Sequence, residues 1–263
     1  MKQIIKRGSF LTLMFMLLGC LSLYAADNDL ITKQITIKLE KAGTLPDRIG
    51  SSRKYKITNL KIIGEINGTD LRMIREMAGR DASGDSTDGM LSVLDLSEAK
   101  IVEGGGYYYK DDDWSNSKIY YTSNDVIDSY AFKDCRGLTS LTLPAGITSI
   151  GSSAFWGCSG LTSIYVYAEK VPKIGSDVFK EVDAKKCTLY VPMETYDAYW
   201  LSDFGYFENI VEFEATGIDK TITSTDVEEV ARYSVNGQRL SAPTRGLNIV
   251  KYSDGSVKKV AVR

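Results

Sequence analysis

"AFKDCRGLTSLTLPAGITSIGSSAFWGCSGLTSIYV", residues 131–166, says nearly the same thing twice. Ala131, Phe132, Cys135, Gly137, Leu138, Ser140 and Leu141 return as Ala154, Phe155, Cys158, Gly160, Leu161, Ser163 and Ile164, each 23 positions later. Each copy ends in a short alternating run, Leu141-Thr142-Leu143 or Ile164-Tyr165-Val166, too short to hold as an isolated strand. Stacked on its copy, such a run becomes one rung of a parallel sheet, and each coil buries its apolar side against the next.

The pattern continues in both directions. Downstream, Ile174, Phe179, Leu189 and Val191 follow Ile150, Phe155, Ile164 and Val166 at steps of 24 or 25, ending a third coil near Pro192. Upstream, Leu60-Lys61-Ile62 and Leu94-Asp95-Leu96 read as earlier strands of the same sheet. Between these two the spacing predicts a convex-side helix with Leu71, Ile74 and Ala78 on one face, Thr69 as cap, Asp70 at its positive end and Gly79 at its stop. After Pro192, the residues Tyr196, Tyr199 and Trp200 predict a short helix whose aromatic face covers the last rung. A period of 20 to 29 residues with this leucine spacing is that of a leucine-rich repeat solenoid, a short parallel β-sheet with a helical or irregular convex side.

The text "AFxxCxGLTSLTLP…ITSIGxxAFxGCSGLTSI", with "YKITNLKIIGEINGTDLRMIREMAG" before it and "CTLYVP" after, resembles the BspA-like leucine-rich repeats of bacterial surface and secreted proteins. The resemblance covers roughly Ala42 to Phe213. It implies adhesion to host matrix or to other cells.

Met1 to Ala26 carries Lys2, Lys6 and Arg7, an apolar run Phe10 to Leu18, and small residues at its end, the layout of an export signal cleaved after Ala25. Leu17-Leu18-Gly19-Cys20 also resembles a lipobox, so the alternative is an outer-membrane lipoprotein anchored through Cys20 and touching the membrane only there. Without residues 1–25, 29 Lys/Arg against 34 Asp/Glu leave a net charge of −5. From Ile218 onward eight basic residues oppose five acidic ones, so the tail carries +3 and the body −8. An acidic body offers nucleic acid no electrostatic footprint. Three cysteines remain after the signal, an odd number that argues against a disulfide framework. Cys135 and Cys158 share one position in successive coils and point to an inward thiol ladder, with a bridge as the alternative.

The sequence has no histidine, which removes Ser-His-Asp, Cys-His and His-bearing zinc sites together. Carboxylate pairs remain, but a short solenoid offers a shallow face and not a water-excluding cleft, so no catalytic residue and no cofactor is expected. Binding is the expected activity, with an extracellular protein or a glycan as partner. Two surfaces qualify. On the concave sheet, Lys61, Asp95, Thr142, Tyr165 and Tyr190 face outward in order, with Tyr167 nearby, and the tyrosines would form a platform. The competing reading is that such strand positions carry Tyr and Thr for β structure alone.

The second surface is the insertion Glu103 to Asp125, "EGGGYYYKDDDWSNSKIYYTSND", with Tyr107, Tyr108, Tyr109, Trp114, Tyr120 and Tyr121. Exposed, these rings would suit a glycan; packed, they would cover the junction between helical and regular coils. Three consecutive aspartates lack the spacing of a calcium loop, so no metal is expected. Asp85-Ser86-Thr87 resembles a short bacterial O-glycosylation acceptor in a polar loop.

After Phe213, residues 214–230 read as a linker and 231–263 as a small antiparallel β module, with Asn236-Gly237 and Asp254-Gly255 as hairpin turns. Tyr233 to Leu240, Gly246 to Val250 and Val257 to Arg263 resemble a short form of type IX secretion sorting domains, without an equivalent of the opening strand. That resemblance implies the secretion machinery as a partner. The whole reads as a non-enzymatic protein exported to the surface or medium, with a structural envelope component as a further class.

Overall fold

The computed structural model describes residues 30–111, 117–214, 229–234, 238–252 and 257–262. The export signal with Cys20, Trp114, most of the linker and both hairpin dipeptides lie outside the described residues. The chain divides into two compact units, 1–215 and 216–263.

The first unit opens with β1 (Ile35–Leu39), α1 (Leu45–Ile49), β2 (Asn59–Ile66), α2 (Gly68–Met77), β3 (Val93–Asp95) and β4 (Ala99–Ile101). A hairpin of β5 (Gly104–Asp111) and β6 (Lys118–Thr122) follows. The regular coils then contribute β7 (Val126–Ile127), β8 (Ser140–Thr142), β9 (Ser149–Ile150), β10 (Ser163–Tyr165), β11 (Lys173–Ile174) and β12 (Thr188–Pro192). The unit closes with α3 (Tyr196–Trp200), a 3-10 turn over Asp203–Tyr206, and β13 (Asn209–Phe213).

The main sheet is a leucine-rich repeat sheet in the order β1-β2-β3-β8-β10-β12-β13, parallel throughout, with β4 paired to the far end of β2. Its register puts Leu60, Leu94, Leu141, Ile164 and Leu189 in one row, each fully buried. A second parallel sheet, β7-β9-β11, repeats the arrangement on another side of the coil. Between the sheets the Ala-Phe pair of the repeat becomes a ring ladder: Phe132 to Phe155 at 5.5 Å and Phe155 to Phe179 at 5.8 Å, with planes within 11° and 5° of parallel. Phe207 ends it edge-on against Phe179 at 4.8 Å.

The convex turns are irregular in shape but regular in bonding. Phe132 N–H donates to Ala154 at 2.7 Å, and Phe155 N–H to Val178 at 3.0 Å. Tyr130, Ser153 and Asp177 take left-handed backbone at φ 62°, 57° and 55°, one per coil just before the buried pair. The coil therefore repeats as a backbone template even where side chains change. Cys135 and Cys158 are buried and unbridged on this ladder, and Val182, buried likewise, holds the equivalent place in the third coil.

The helical coil is locked by polar groups. Asn67, not Thr69, caps α2, accepting from the Thr69 N–H at 3.0 Å in a capping box completed by Asp70. The fully buried Asp70 carboxylate accepts from the Asn67 and Leu45 N–H groups, both at 2.9 Å, tying α1 to α2. Thr69 serves the hairpin instead, its hydroxyl accepting from the Gly106 N–H at 2.9 Å. The crossing explains Gly68 and Gly105: a Cβ on Gly68 would strike the Gly106 carbonyl, and one on Gly105 would strike the Asn67 side chain. Only glycine backbone allows so close a crossing. Arg75 is fully buried, donating to the carbonyls of Tyr130 at 2.9 Å, Ala131 at 3.0 Å and Asp81 at 3.2 Å. Its guanidinium also lies over the Tyr109 ring at 4.9 Å, pinning helix, hairpin and first regular coil together.

Two expectations change. The sheet runs one strand further at each end, because β1 precedes β2 and β13 follows β12, so the third coil is not the last. Of the aromatic trio expected to cover the end, only Tyr199 is buried, while Tyr196 and Trp200 face solvent. The covering rings are Phe204 and Phe207 from the turn after α3, both fully buried.

The second unit holds β14 (Glu229–Ser234), β15 (Arg239–Leu240), β16 (Gly246–Tyr252) and β17 (Val257–Val262) in an antiparallel sheet ordered β15-β14-β16-β17. Inside it Arg232 forks onto Glu229 at 2.8 and 2.6 Å and reaches Asn248 at 3.2 Å.

Removing a ring from the middle of the ladder should cost the most. Phe155→Ala is expected to lower stability by about 3–5 kcal/mol, measured by urea unfolding. The thiols supply a pH signature. Burial pushes the Cys135 thiol up to about 11 and the Cys187 thiol up to about 12, and lifts Cys158 well above its ordinary 9.0. The folded state therefore holds these protons more tightly than the unfolded chain, so stability is full below pH 9 and falls as pH rises toward 11. The urea midpoint should drop over that range, and less steeply once all three cysteines are changed to Ala. An equally steep drop in the triple variant would contradict this.

Candidate ligand-binding surface

In each strand one residue points inward and its neighbours outward, so in-register pairing aligns alternate positions into rows along the sheet. The central row is Lys61, Asp95, Thr142, Tyr165 and Tyr190, in the order read from the sequence, with Thr36 before and Val211 after it. On one side runs a polar row containing Ser140, Ser163, Thr188 and Asn209. On the other, Phe213 lies opposite Pro192 and against Tyr167.

The rings come together at the C-terminal half of this face. Tyr165 and Tyr190 stack at 4.3 Å between centroids with planes 6° apart. Phe213 meets Tyr167 edge-on at 4.9 Å and Tyr165 at 5.9 Å. All four are half-buried, which fixes them in place and leaves part of each to solvent. Partial burial raises the phenol pKa of Tyr165 and Tyr167, so both stay neutral hydrogen-bonding groups at physiological pH. At the N-terminal half, Lys61 is held by Glu98 at 2.7 Å and by Asp95 at 3.8 Å. It is an internal ion-pair partner more than an outward cation. Phe213 and Val211 escaped the sequence reading because β13 lacks the repeat's Cys-x-Gly-Leu lead; the alternation in Asn209-Ile210-Val211-Glu212-Phe213 was the available signal.

The insertion is a folded hairpin whose rings divide between core and solvent. Tyr108 is fully buried and its hydroxyl donates to the Ser129 carbonyl at 2.6 Å. Tyr109 is buried too, packed against Tyr130 at 5.4 Å and Tyr120 at 5.9 Å. Tyr107 lies under Arg72 at 4.8 Å. These contacts cover the junction between helical and regular coils, so Tyr108 and Tyr109 are not available to a ligand. Tyr121, 54% exposed, is the ring of the hairpin turned to solvent among the described residues. Ser86 of the polar loop is exposed, with its hydroxyl accepting from Arg80 at 3.0 Å.

Residues 107–232 match the family described as BspA type Leucine rich repeat region (6 copies). The match spans just under half of the chain, and the stretch is similar to BspA type leucine-rich repeats. The match begins inside the hairpin, yet β1 to β4 extend the same sheet ahead of it, so the solenoid is longer than the recognised repeat. No curated protein matches the chain. Leucine-rich repeat domains are in general non-enzymatic scaffolds for protein–protein contact.

Single changes in the hairpin separate packing from exposure. Tyr108→Ala should destabilise by about 3–5 kcal/mol, whereas Tyr121→Ala should stay within about 0.5 kcal/mol, both read from urea unfolding. Equal effects would contradict the division.

Proposed function

We propose that this chain is an exported surface or secreted binding protein that adheres to an extracellular protein through its concave sheet. The observation that carries the reading is the Tyr165/Tyr190 stack with Tyr167 and Phe213 beside it, an amphipathic cluster of half-buried rings held by the strand register. Tyrosine gives large contact area at low entropic cost, and here the register has already ordered it. The family match supports surface association and protein binding as the class of role. Export rests on the N-terminal signal, and no described helix is long and apolar enough to cross a membrane. The basic, valine-rich end of the second unit is taken as the part addressed to secretion machinery.

The test is an array of matrix proteins and glycans probed with residues 26–263 in low and high salt. Protein ligands should bind and fade with salt, since the body carries −8. Changing Tyr165 and Tyr190 together to Ala should remove that binding while unfolding stays cooperative. Unchanged binding by the double variant, or glycan hits alone, would sink the reading.

A further inference from the structure

Among the described residues, the stack leaves one face of Tyr165 without a ring against it. Tyr190 covers the face toward β12; the opposite face turns toward β8, where the same row holds Thr142, too short to cover it. The next position, on β3, is Asp95. Two strand spacings separate Asp95 from Tyr165, about 10 Å between backbones. A tyrosine face and an aspartate thus stand on either side of a threonine in one outward row. Tyr167 borders the gap: after burial, its hydroxyl feels the Asp95 carboxylate and, in the opposite sense, the Lys61 ammonium.

Asp95 is only lightly engaged. Its Oδ1 accepts from the Ser97 N–H at 2.9 Å, while its Oδ2 stands 3.8 Å from the Lys61 ammonium, which makes its closer contact with Glu98 at 2.7 Å. A second cation at Oδ2 would leave the closer Lys61 pair intact. The other wall, the π-face of a tyrosine, also attracts cations, and a planar guanidinium satisfies both walls at once by stacking on the ring while donating to the carboxylate. A neutral sugar would gain the ring and lose nothing by the absence of the carboxylate. We infer that the gap over Thr142, between Tyr165 and Asp95, is a cup for an arginine side chain of the protein ligand. The inference rests on the concave-face reading and names the chemistry of its partner, a basic segment laid along the sheet. The −8 charge of the body favours the approach of such a segment.

The full chain would be titrated with a Gly/Ser peptide bearing spaced arginines, and with the same peptide carrying citrulline, which keeps shape and loses charge. The arginine peptide should bind about tenfold tighter. Asp95→Asn should remove most of that difference, and Thr142→Trp, which fills the gap from an outward position, should block the peptide. Equal binding of the two peptides, or wild-type affinity in both variants, overturns the cup. The two readings fail separately. Array ligands that need Tyr165 and Tyr190 yet ignore both cup variants keep the face and remove the cup. Array ligands indifferent to the tyrosine pair remove the face, and the peptide titration still decides whether the cup holds a cation.

Discussion

Every feature of the first unit depends on coils lying in register. No coil of about 23 residues has an interior of its own; Leu141 is buried because Leu94 and Ile164 flank it, and Phe155 because Phe132 and Phe179 do. A one-residue slip would turn the leucine row outward and the tyrosine row inward, losing burial and exposing apolar surface together. The register that builds the core is thus the same constraint that assembles the outer face. Tyr165 and Tyr190 are 25 positions apart in sequence and stack at 4.3 Å because of it.

Where the repeat begins, the helical coil must be joined to coils of another shape, and the junction is made by polar groups and glycine. Arg75 donates through its two terminal nitrogens to carbonyls of the first regular coil and of its own loop and sets its charge over the Tyr109 ring, while its buried Nε finds no partner among the described residues. An unpaired buried charge is costly, so this arrangement suits a joint that must stay closed. The hairpin is a gasket over that joint: Gly68 of α2 lets its backbone cross the helix start, and its tyrosines fill the space behind.

The repeat itself was legible from residues 131–166, because its inward positions are constrained twice, by period and by apolarity. The order of the central row followed from it, although Lys61 is drawn into ion pairs with Glu98 and Asp95 instead of standing outward. What could not be read were the places where the period stops. β1 and β13 carry strand alternation without the repeat's lead, and α3 keeps Tyr196 and Trp200 in solvent while Phe204 and Phe207 from the following turn close the core. The insertion was ambiguous for a physical reason: strand alternation would bury one of two consecutive rings, whereas Tyr108 and Tyr109 are both buried, with the hairpin register shifting between Gly104 and Tyr109. Thr69 likewise looked like a cap, but Asn67 two residues earlier offers the same chemistry.

The most direct test of the central claim, that the tyrosine row is the contact surface, is chemical modification of tyrosines in the presence and absence of a matrix protein bound on the array. Bound protein should shield Tyr165 and Tyr190 and leave Tyr121 and Tyr196 as reactive as before. Shielding of Tyr121 or Tyr196, with Tyr165 and Tyr190 unchanged, would contradict the account.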